Sequence, residues 1–521
     1  MLRCLLRLPV VLTLAVLPVA AQQQFDVLIR GGRVLDGSGN PWFAADLGVT
    51  GERIVAVGNL ASARATTVID ATGHFVSPGF IDAHSHSGEA LAAAARRAAV
   101  PLLTQGITTV LVNPDGGGPT DLVRQKQEYA AGLGVNVALM VPHGSVRSAV
   151  LGAADRAPTP AELDRMRALV RAGMEAGAFG LSSGPFYAPG SFSKTDELVE
   201  LAKVAAAYGG AYTSHIRDES DYTIGVVAAV EEVITVAREA RLPGVVTHIK
   251  ALGPRVWGYS TALVQRIDRA RAQGIEVYAD QYPYDASQTG LAAALLPRWA
   301  QVGGTQALRA RFADAETMAR IRAEVVQNLD RRGGAARIRF GGAGEDAGKT
   351  LAEVAAARTL DPVDAAIDIV RRGGGGSIIS FNMHEDDIHA LMRQPWTMTA
   401  SDGELPPMGV GFPHPRAYGT FPRKLGKYAR DDRIIGFEQA VRSMTSLPAQ
   451  VFRLTDRGVL RAGAMADIVV FDYDRVRDRA TYDEPHQLAE GIVHALIGGR
   501  VSSQASRVTG ALNGRVLDRR K

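Results

Sequence analysis

The sequence predicts an α/β protein: a (β/α)8 barrel of the TIM type, joined to a small β-sandwich domain that is built from both ends of the chain. Two observations carry this prediction. Apolar, β-branched segments alternate with alanine-rich helical segments through the middle of the chain. The apolar segments number eight, which is the strand count of a closed barrel. They are residues 76–84, 107–113, 135–142, 178–183, 210–216, 244–249, 275–280 and 397–401.

Both ends of the chain contain short strands of their own. Residues 25–34 and 54–58 lie before the barrel region, and residues 459–460 and 468–471 lie after it. Each is bounded by turn-forming residues such as Gly, Asp and Asn. Because these strands flank the barrel on both sides, we expect them to pair within one small domain.

The domain boundaries follow from these segments. The small domain is expected over residues 22–75 and 441–521, and the barrel over residues 76–440. The gap between the last two barrel strands is too long for one connection and contains helical patterns of its own. We therefore expect a helical insertion over about residues 286–395, beside the mouth of the barrel.

The first 21 residues have the pattern of a secretory signal peptide. Arg3 and Arg7 precede an apolar stretch over residues 8–19, and small residues lead up to Ala21. The stretch is too short for a membrane span. We expect cleavage after Ala21, no stable membrane anchor in the mature protein, and a location in the periplasm or the medium.

Composition excludes several classes of function. Hydrophobic residues make up 46% of the chain and charged residues 21%, which is typical of a globular protein. The formal charge of +4 gives no footprint for nucleic acid. The single cysteine, Cys4, lies within the signal segment, so the mature protein has neither a disulfide nor a thiolate metal ligand. The sequence does not indicate an oligomeric state.

The predicted strand ends carry the residues that indicate chemistry. His84 and His86 are two residues apart on one strand, so their imidazoles share a face and form half of a metal site. His215, His248 and Asp402 end the fifth, sixth and eighth strands. The carboxyl ends of all barrel strands meet at one mouth. Four imidazoles and a carboxylate there predict a hydrolytic metal centre.

A two-metal centre needs one more anionic ligand. Asp115, just after the second strand, is placed to supply it, although a turn residue before the glycines 116–118 is the alternative. Nitrogen and oxygen donors without sulfur suit Zn²⁺ and tolerate Mn²⁺ or Co²⁺. We expect one or two zinc ions per subunit. Asp402 is the candidate catalytic base and acid for hydrolysis of an amide in a small-molecule substrate, or for an equivalent ring opening.

Further sequence blocks surround these candidate residues. They are residues 78–82 with His84 and His86, then 105–109, 184–190, 214–219, 248–250, 282–284, 401–403 and 414–420. Together the blocks resemble the amidohydrolase superfamily and, within it, the N-acyl-D-amino-acid deacylases (D-aminoacylases). The resemblance covers nearly all of the chain after the signal segment.

The resemblance implies a role for each candidate. Of two metal positions, one is held more tightly and the second is often weakly filled. The tighter position is implied to use Asp115, His215 and His248, and the second His84, His86 and Asp402.

Five residues are implied to bind substrate. Arg416 would bind the α-carboxylate as a two-pronged donor. Tyr187, Tyr282 and Lys250 would line the same pocket, with Gln288 where the family tends to have a small hydroxyl.

The sequence departs from the family at two of these positions. Asp115 stands where D-aminoacylases commonly carry a bridging cysteine. A carboxylate at this position fits an oxidising compartment, because a thiolate there could be lost to oxidation. Gln288 replaces the small hydroxyl contact and predicts an altered substrate preference. The function we predict is hydrolysis of N-acyl-D-amino acids. The alternatives are a cyclic amidase of the dihydroorotase or hydantoinase type, a dipeptidase, and a catalytically dead exported binding protein.

Overall fold

The computed structural model describes residues 23–374 and 376–519. The expected signal peptide over residues 1–21, with Cys4, lies outside the described residues. Within the described ranges, no helix is both long enough and apolar enough to span a membrane.

The predicted barrel is confirmed. All eight strands run parallel, and the third is interrupted at Met140 so that its first part pairs with the second strand and its last part with the fourth. The strands are Phe80–Asp82, Ile107–Val112, Asn136–Leu139 continued by Val141–Pro142, Gly180–Ser183, Ala211–Ser214, Gly244–Val246, Val277–Gln281 and Thr397–Thr399.

The barrel closes between its first and eighth strands at the mouth. The Asp402 amide donates to the His84 carbonyl at 2.9 Å, and the His86 amide donates to the Gly403 carbonyl at 2.9 Å. These bonds lie just beyond the strand ends, so the closing seam itself carries three of the predicted metal ligands.

The helices cover the outside of the barrel. Val226–Ala240 shows how they attach: it buries Val226, Ala229, Val230, Val233, Ile234 and Ala237, which recur every three or four residues along one face. The barrel helices are Gly88–Ala92, Val100–Leu103, Leu122–Glu128, His143–Leu151, Pro160–Glu175, Thr195–Ala207, Val226–Ala240, Ser260–Ala272, Glu385–Met392, Arg416–Arg423, Phe437–Met444 and Ser446–Val451, with a π-helix at Lys424–Asp431.

The small domain combines both ends of the chain, as predicted, and its strands are hydrogen-bonded into one branched sheet. The branch point is Gln24–Val34. Along one edge it pairs with Phe43–Thr50 on both sides of a register shift between Ile29 and Gly32, and along the other edge its first part pairs with Arg64–Asp70 and its end with Phe75–Pro78. The strands are Gln24–Val34, Phe43–Thr50, Arg53–Gly58, Arg64–Asp70, Phe75–Pro78, Ile468–Phe471, Ile492–Ile497, Arg500–Gln504 and Arg507–Val508. The expected strand at 459–460 is absent from the described sheet.

Two expected domain boundaries shift. The apolar run 76–84 is shared: Phe75–Pro78 belongs to the small-domain sheet and Phe80–Asp82 to the barrel. The chain changes sheet at Gly79, where a Cβ atom would lie 2.2 Å from the Thr108 hydroxyl. At the other end, Phe437–Met444 and Ser446–Val451 pack on barrel strands, so the barrel continues beyond residue 440.

The C-terminal segment also belongs to the barrel and not to the small domain. Val516–Leu517 pairs in parallel with Val137 and Ala138 of the third strand. The Arg519 amide donates to the Gly177 carbonyl, just before the fourth strand. The end of the chain therefore fills the gap between these two barrel strands.

The insertion is shorter than expected and not purely helical. It contains a three-stranded antiparallel sheet and an apolar core of its own. It ends before Glu385–Met392, which packs on Ser260–Ala272 as a barrel helix. Its elements are Ser287–Gly290, Leu291–Leu295, Arg298–Gln301, Gly304–Ala313, Ala315–Arg331, Ala335–Arg337, Ile338–Phe340, Leu351–Ala357, Pro362–Arg371 and Ser377–Ser380.

Candidate metal centre and substrate cavity

The structure brings all six predicted metal ligands together at the mouth of the barrel. Their donor atoms form two groups, and within each group the atoms lie no more than 4.8 Å apart. Asp115 belongs to both groups. The first group is His84, His86, Asp115 and Asp402, and the second is Asp115, His215 and His248.

Asp115 faces all four histidines. Its Oδ1 lies 3.4 Å from His84 Nε2 and 3.7 Å from His248 Nε2. Its Oδ2 lies 3.4 Å from His86 Nε2 and 3.7 Å from His215 Nδ1. Each oxygen of this carboxylate thus faces one histidine of each group, so Asp115 lies between the two groups, where a bridging ligand would be needed.

The second carboxylate, Asp402, links the metal cluster to a cation. Its Oδ1 lies 3.4 Å from His84 Nε2 and 3.1 Å from His86 Nε2. Its Oδ2 lies 2.6 Å from Nη1 of Arg416. Burial alone would raise the pKa of Asp402, but the charge of Arg416 and the imidazoles outweigh it and hold the pKa well below its usual range. Asp402 is therefore ionised at neutral pH.

The cluster has the unmet bonding capacity that a cation would satisfy. His84 Nε2, Asp115 Oδ1 and both ring nitrogens of His215 are buried without a hydrogen-bond partner. Buried polar atoms are normally satisfied. Imidazole nitrogens and carboxylate oxygens are also the donors that zinc takes in proteins. The residues present therefore fit the metal that the sequence predicted.

Three of the six ligands sit on strained backbone. Asp115, His248 and Asp402 have φ values of 55°, 35° and 48°, in the left-handed region that side chains rarely adopt. Such conformations persist only where the surroundings enforce them, and they concentrate at functional sites. Here they turn each side chain inward just after its strand.

Residues not predicted from the sequence hold the histidines in place. Glu219 Oε1 lies 3.1 Å from His248 Nδ1 and is ion-paired with Lys250. The His248 amide donates to Asp280 Oδ1 at 2.6 Å. Asp82 accepts from the Ser401 amide at 2.8 Å. Glu219 and Asp82 lie within the sequence blocks 214–219 and 78–82, which were the available sequence signal.

A cavity of about 920 Å³ opens over the cluster. All five residues predicted to bind substrate line it, namely Arg416, Tyr187, Tyr282, Lys250 and Gln288.

Arg416 is the substrate-binding candidate with free donor capacity. It is 3% exposed, and its Nε has no hydrogen-bond partner. Its guanidinium lies over the Tyr282 ring, 4.7 Å from the centroid. Burial raises the pKa of Tyr282 well above its usual range, so the phenol stays protonated.

The other lining residues are held by local contacts. The Tyr187 hydroxyl lies 3.1 Å from the Thr289 hydroxyl, and Gln288 Nε2 donates to Ser377 Oγ at 2.6 Å. Lys250 is committed to Glu219, so a substrate would share this cation with a carboxylate of the protein.

A model of the amidohydrolase family matches residues 67–502. The chain belongs to the amidohydrolase family. This amidohydrolase is 38% identical to N-acyl-D-glutamate deacylase of Alcaligenes xylosoxydans xylosoxydans, over 92% of this chain and 93% of the relative. It is 36% identical to D-aminoacylase of the same organism, over 95% and 98% of the two chains.

A solved structure matches 95% of this amidohydrolase. N-acyl-D-glutamate deacylase from Bordetella bronchiseptica superposes with a TM-score of 0.80 and 36% identity, covering 95% of this chain and 100% of that one. That structure was determined with zinc and a phosphonate inhibitor that mimics the tetrahedral intermediate of its reaction.

Proposed function

We propose that this amidohydrolase hydrolyses the amide bond of N-acyl-D-amino acids, using zinc. Water adds a hydroxyl group to the acyl carbon as the C–N bond breaks, and the products are a carboxylate and a free D-amino acid. The observation that carries this proposal is the buried Arg416, which has a free donor beside the metal ligands. A carboxylate next to the scissile amide is the group it fits.

The two groups around Asp115 would hold the metal. The chemistry that zinc supplies at such a site is polarisation of a carbonyl and a lowered pKa for water. Asp115, His215 and His248 make the more buried group, which we assign to the tighter ion. His86 has a side chain that is 35% exposed, which is consistent with weaker filling of the second position.

Asp402 is the residue to which we assign proton transfer. Its ion pair with Arg416 keeps it ionised, so it can accept a proton from the attacking water. It then donates that proton to the departing nitrogen, acting as base and then as acid. A protein that only binds a ligand would not need a proton-transferring carboxylate at this position.

Arg416 and the tyrosines position the substrate. The free Nε of Arg416 and its stacking on Tyr282 give a rigid donor for an α-carboxylate. Tyr187 and Tyr282 remain neutral because burial raises the pKa of both phenols, so they offer hydroxyl donors at the wall of the cavity. The preference for D substrates rests on the deacylase relatives.

Export is part of this proposal and rests on residues 1–21 alone. N-terminal sequencing of protein recovered from the periplasm or the medium tests it. A first residue of Gln22 is the expected result, and an intact Met1 on a cytosolic protein would contradict export.

A substrate panel tests the activity. Zinc-loaded protein is incubated with N-acetyl-D-amino acids, dihydroorotate, a hydantoin and several dipeptides, and released amine or opened ring is measured. We expect amine from the N-acetyl-D-amino acids. Ring opening or dipeptide cleavage alone would assign the protein to the alternative amidases, and no turnover with bound zinc would favour a binding protein.

A further inference from the structure

His414 joins the start of a barrel helix to the start of the insertion. Its Nδ1 accepts from the Arg416 amide at 3.0 Å, and its Nε2 lies 2.9 Å from the Ala286 carbonyl oxygen. Ala286 directly precedes Ser287–Gly290, the first strand of the insertion. The two partners fix the tautomer, because an amide N–H donates and a carbonyl oxygen accepts. Nε2 therefore carries the proton, and the ring is neutral.

The bond to Arg416 satisfies an amide that its own helix leaves free. Arg416 is the first residue of Arg416–Arg423, and the first amide groups of a helix have no partner within it. Pro415, the residue before the helix, supplies no side-chain acceptor. His414 supplies one, and so fixes the backbone from which the Arg416 side chain reaches the cavity.

The His414 ring is enclosed by aromatic side chains. It is 1% exposed, and the rings of Tyr282, Tyr284 and Tyr482 lie 6.0, 5.3 and 5.3 Å from it between centroids. Burial and the nearby charge of Arg416 hold the pKa of His414 well below its usual range. The ring therefore keeps the unprotonated nitrogen that the Arg416 amide needs.

The other partner of His414 is itself firmly held. Asp285, just before Ala286, accepts from the Tyr482 hydroxyl at 2.8 Å through its Oδ1. Its carbonyl accepts from the Met383 amide at 3.0 Å. Tyr482 lies between two strands of the small-domain sheet, and Met383 lies just after the insertion. Ala286 thus belongs to a junction of barrel, insertion and small domain, and it gives His414 a fixed point of attachment.

We propose that His414 is a positioning residue, which sets Arg416 for the α-carboxylate of the substrate by tying it to the base of the insertion. This inference rests on the proposed function and deepens it. His414 does not line the cavity, so its effect on the substrate passes through Arg416. A histidine that only packed the fold would affect all ligands alike, whereas a positioning histidine affects those that carry the carboxylate.

Recognition of the carboxylate is measured with two pairs of ligands. Steady-state kinetics compare kcat/KM for N-acetyl-D-leucine and N-acetyl-D-leucinamide. Calorimetry compares the binding of D-leucine and D-leucinamide to the zinc-loaded enzyme, which needs no turnover. The zinc content and Tm of each variant are measured beside both.

Two variants separate the hydrogen bonds of His414 from its volume. H414F fills the space with a ring and removes both bonds. H414N keeps an acceptor for the Arg416 amide, because an asparagine oxygen bonds the amide two residues further on. We expect H414F to lower the preference for acid over amide by about 10-fold or more, since a small displacement of a substrate-positioning group has effects of this size. H414N should recover most of that preference.

H486F is the matched control. His486 also bridges two groups, with Nδ1 2.9 Å from the Tyr418 hydroxyl and Nε2 3.0 Å from the Gly411 carbonyl oxygen, but neither partner is Arg416. H486F should therefore keep the wild-type preference for the acid.

Three results would overturn the inference. They are an unchanged acid-to-amide ratio in H414F, losses in H414F and H414N that are equal for acid and amide, and the same loss of preference in H486F as in H414F. Failure of the proposed function has a different signature: the wild type would bind D-leucine more tightly than D-leucinamide but release no amine from N-acetyl-D-leucine.

Discussion

Arg416 and Asp402 form a buried ion pair, with Nη1 and Oδ2 2.6 Å apart, and both side chains line the cavity over the metal ligands. Arg416 therefore takes part both in the ionisation of Asp402 and in substrate binding. Arg416 keeps the catalytic carboxylate ionised and retains a free Nε for the substrate. Substrate binding and proton transfer are therefore coupled through a single guanidinium.

Replacing Arg416 tests this coupling. R416M should lower kcat/KM for N-acetyl-D-leucine by about 100-fold or more, because a buried charge-assisted contact is lost and Asp402 is left without its cation. The wild type should also prefer this acid strongly over the corresponding amide, and R416M should show no such preference. An unchanged acid-to-amide ratio would contradict the assigned role. R423M is a useful control, because Arg423 is a cation stacked on Tyr284 that does not line the cavity.

Metal content should depend most on Asp115. Because this carboxylate belongs to both donor groups, D115A should bind less than one zinc per chain after loading and desalting. H86A should still bind one, since Asp115, His215 and His248 remain. Elemental analysis by mass spectrometry measures the zinc. Wild-type zinc content in D115A would show that the carboxylate does not bridge.

Lys424 gives a pH-dependent prediction about stability. It is 1% exposed, its Nζ donates to Thr399 Oγ1 at 2.9 Å, and burial lowers its pKa from 10.5 to about 7. Between pH 7 and pH 10.5 the unfolded chain holds a proton that the folded chain lacks, so stability due to this group rises with pH.

K424M removes that difference. We expect it to raise the free energy of unfolding at pH 7 by about 3 kcal/mol, and the gain should shrink towards pH 10. Thermal unfolding of both proteins at pH 7, 8.5 and 10 measures the gap in Tm. A gap that stays constant, or that widens with pH, would refute a neutral Lys424.

The C-terminal strand should contribute measurably to barrel stability. Leu517 is 7% exposed and lies in the segment that pairs with the third barrel strand. L517A should lower Tm by about 2 to 4 °C through lost apolar burial. L512A provides the comparison, since Leu512 is 38% exposed. Equal effects of the two substitutions would mean that the strand is not part of the barrel.

The sequence predicted the barrel because each of its strands is a short apolar run that ends in polar or glycine residues. It also predicted the cluster of His84, His86, His215 and His248, because strand ends meet at one mouth whatever the loops do. These inferences needed only local periodicity and one rule of topology.

Long-range contacts were beyond the reach of the sequence. The run 76–84 was predicted as one strand. Pro78 and Gly79 interrupt its apolar pattern, but only the strand pairing shows that the two parts belong to different sheets. The two-residue pairing of Val516–Leu517 with the third strand carries no periodic signal.

The most direct test of the account compares the two enantiomers of N-acetyl-leucine in one assay of released amine with zinc-loaded enzyme, and repeats it with D402N at equal zinc content. The account predicts hydrolysis of the D enantiomer, little hydrolysis of the L enantiomer, and loss of activity in D402N. Equal hydrolysis of both enantiomers, or full activity in D402N, would contradict it.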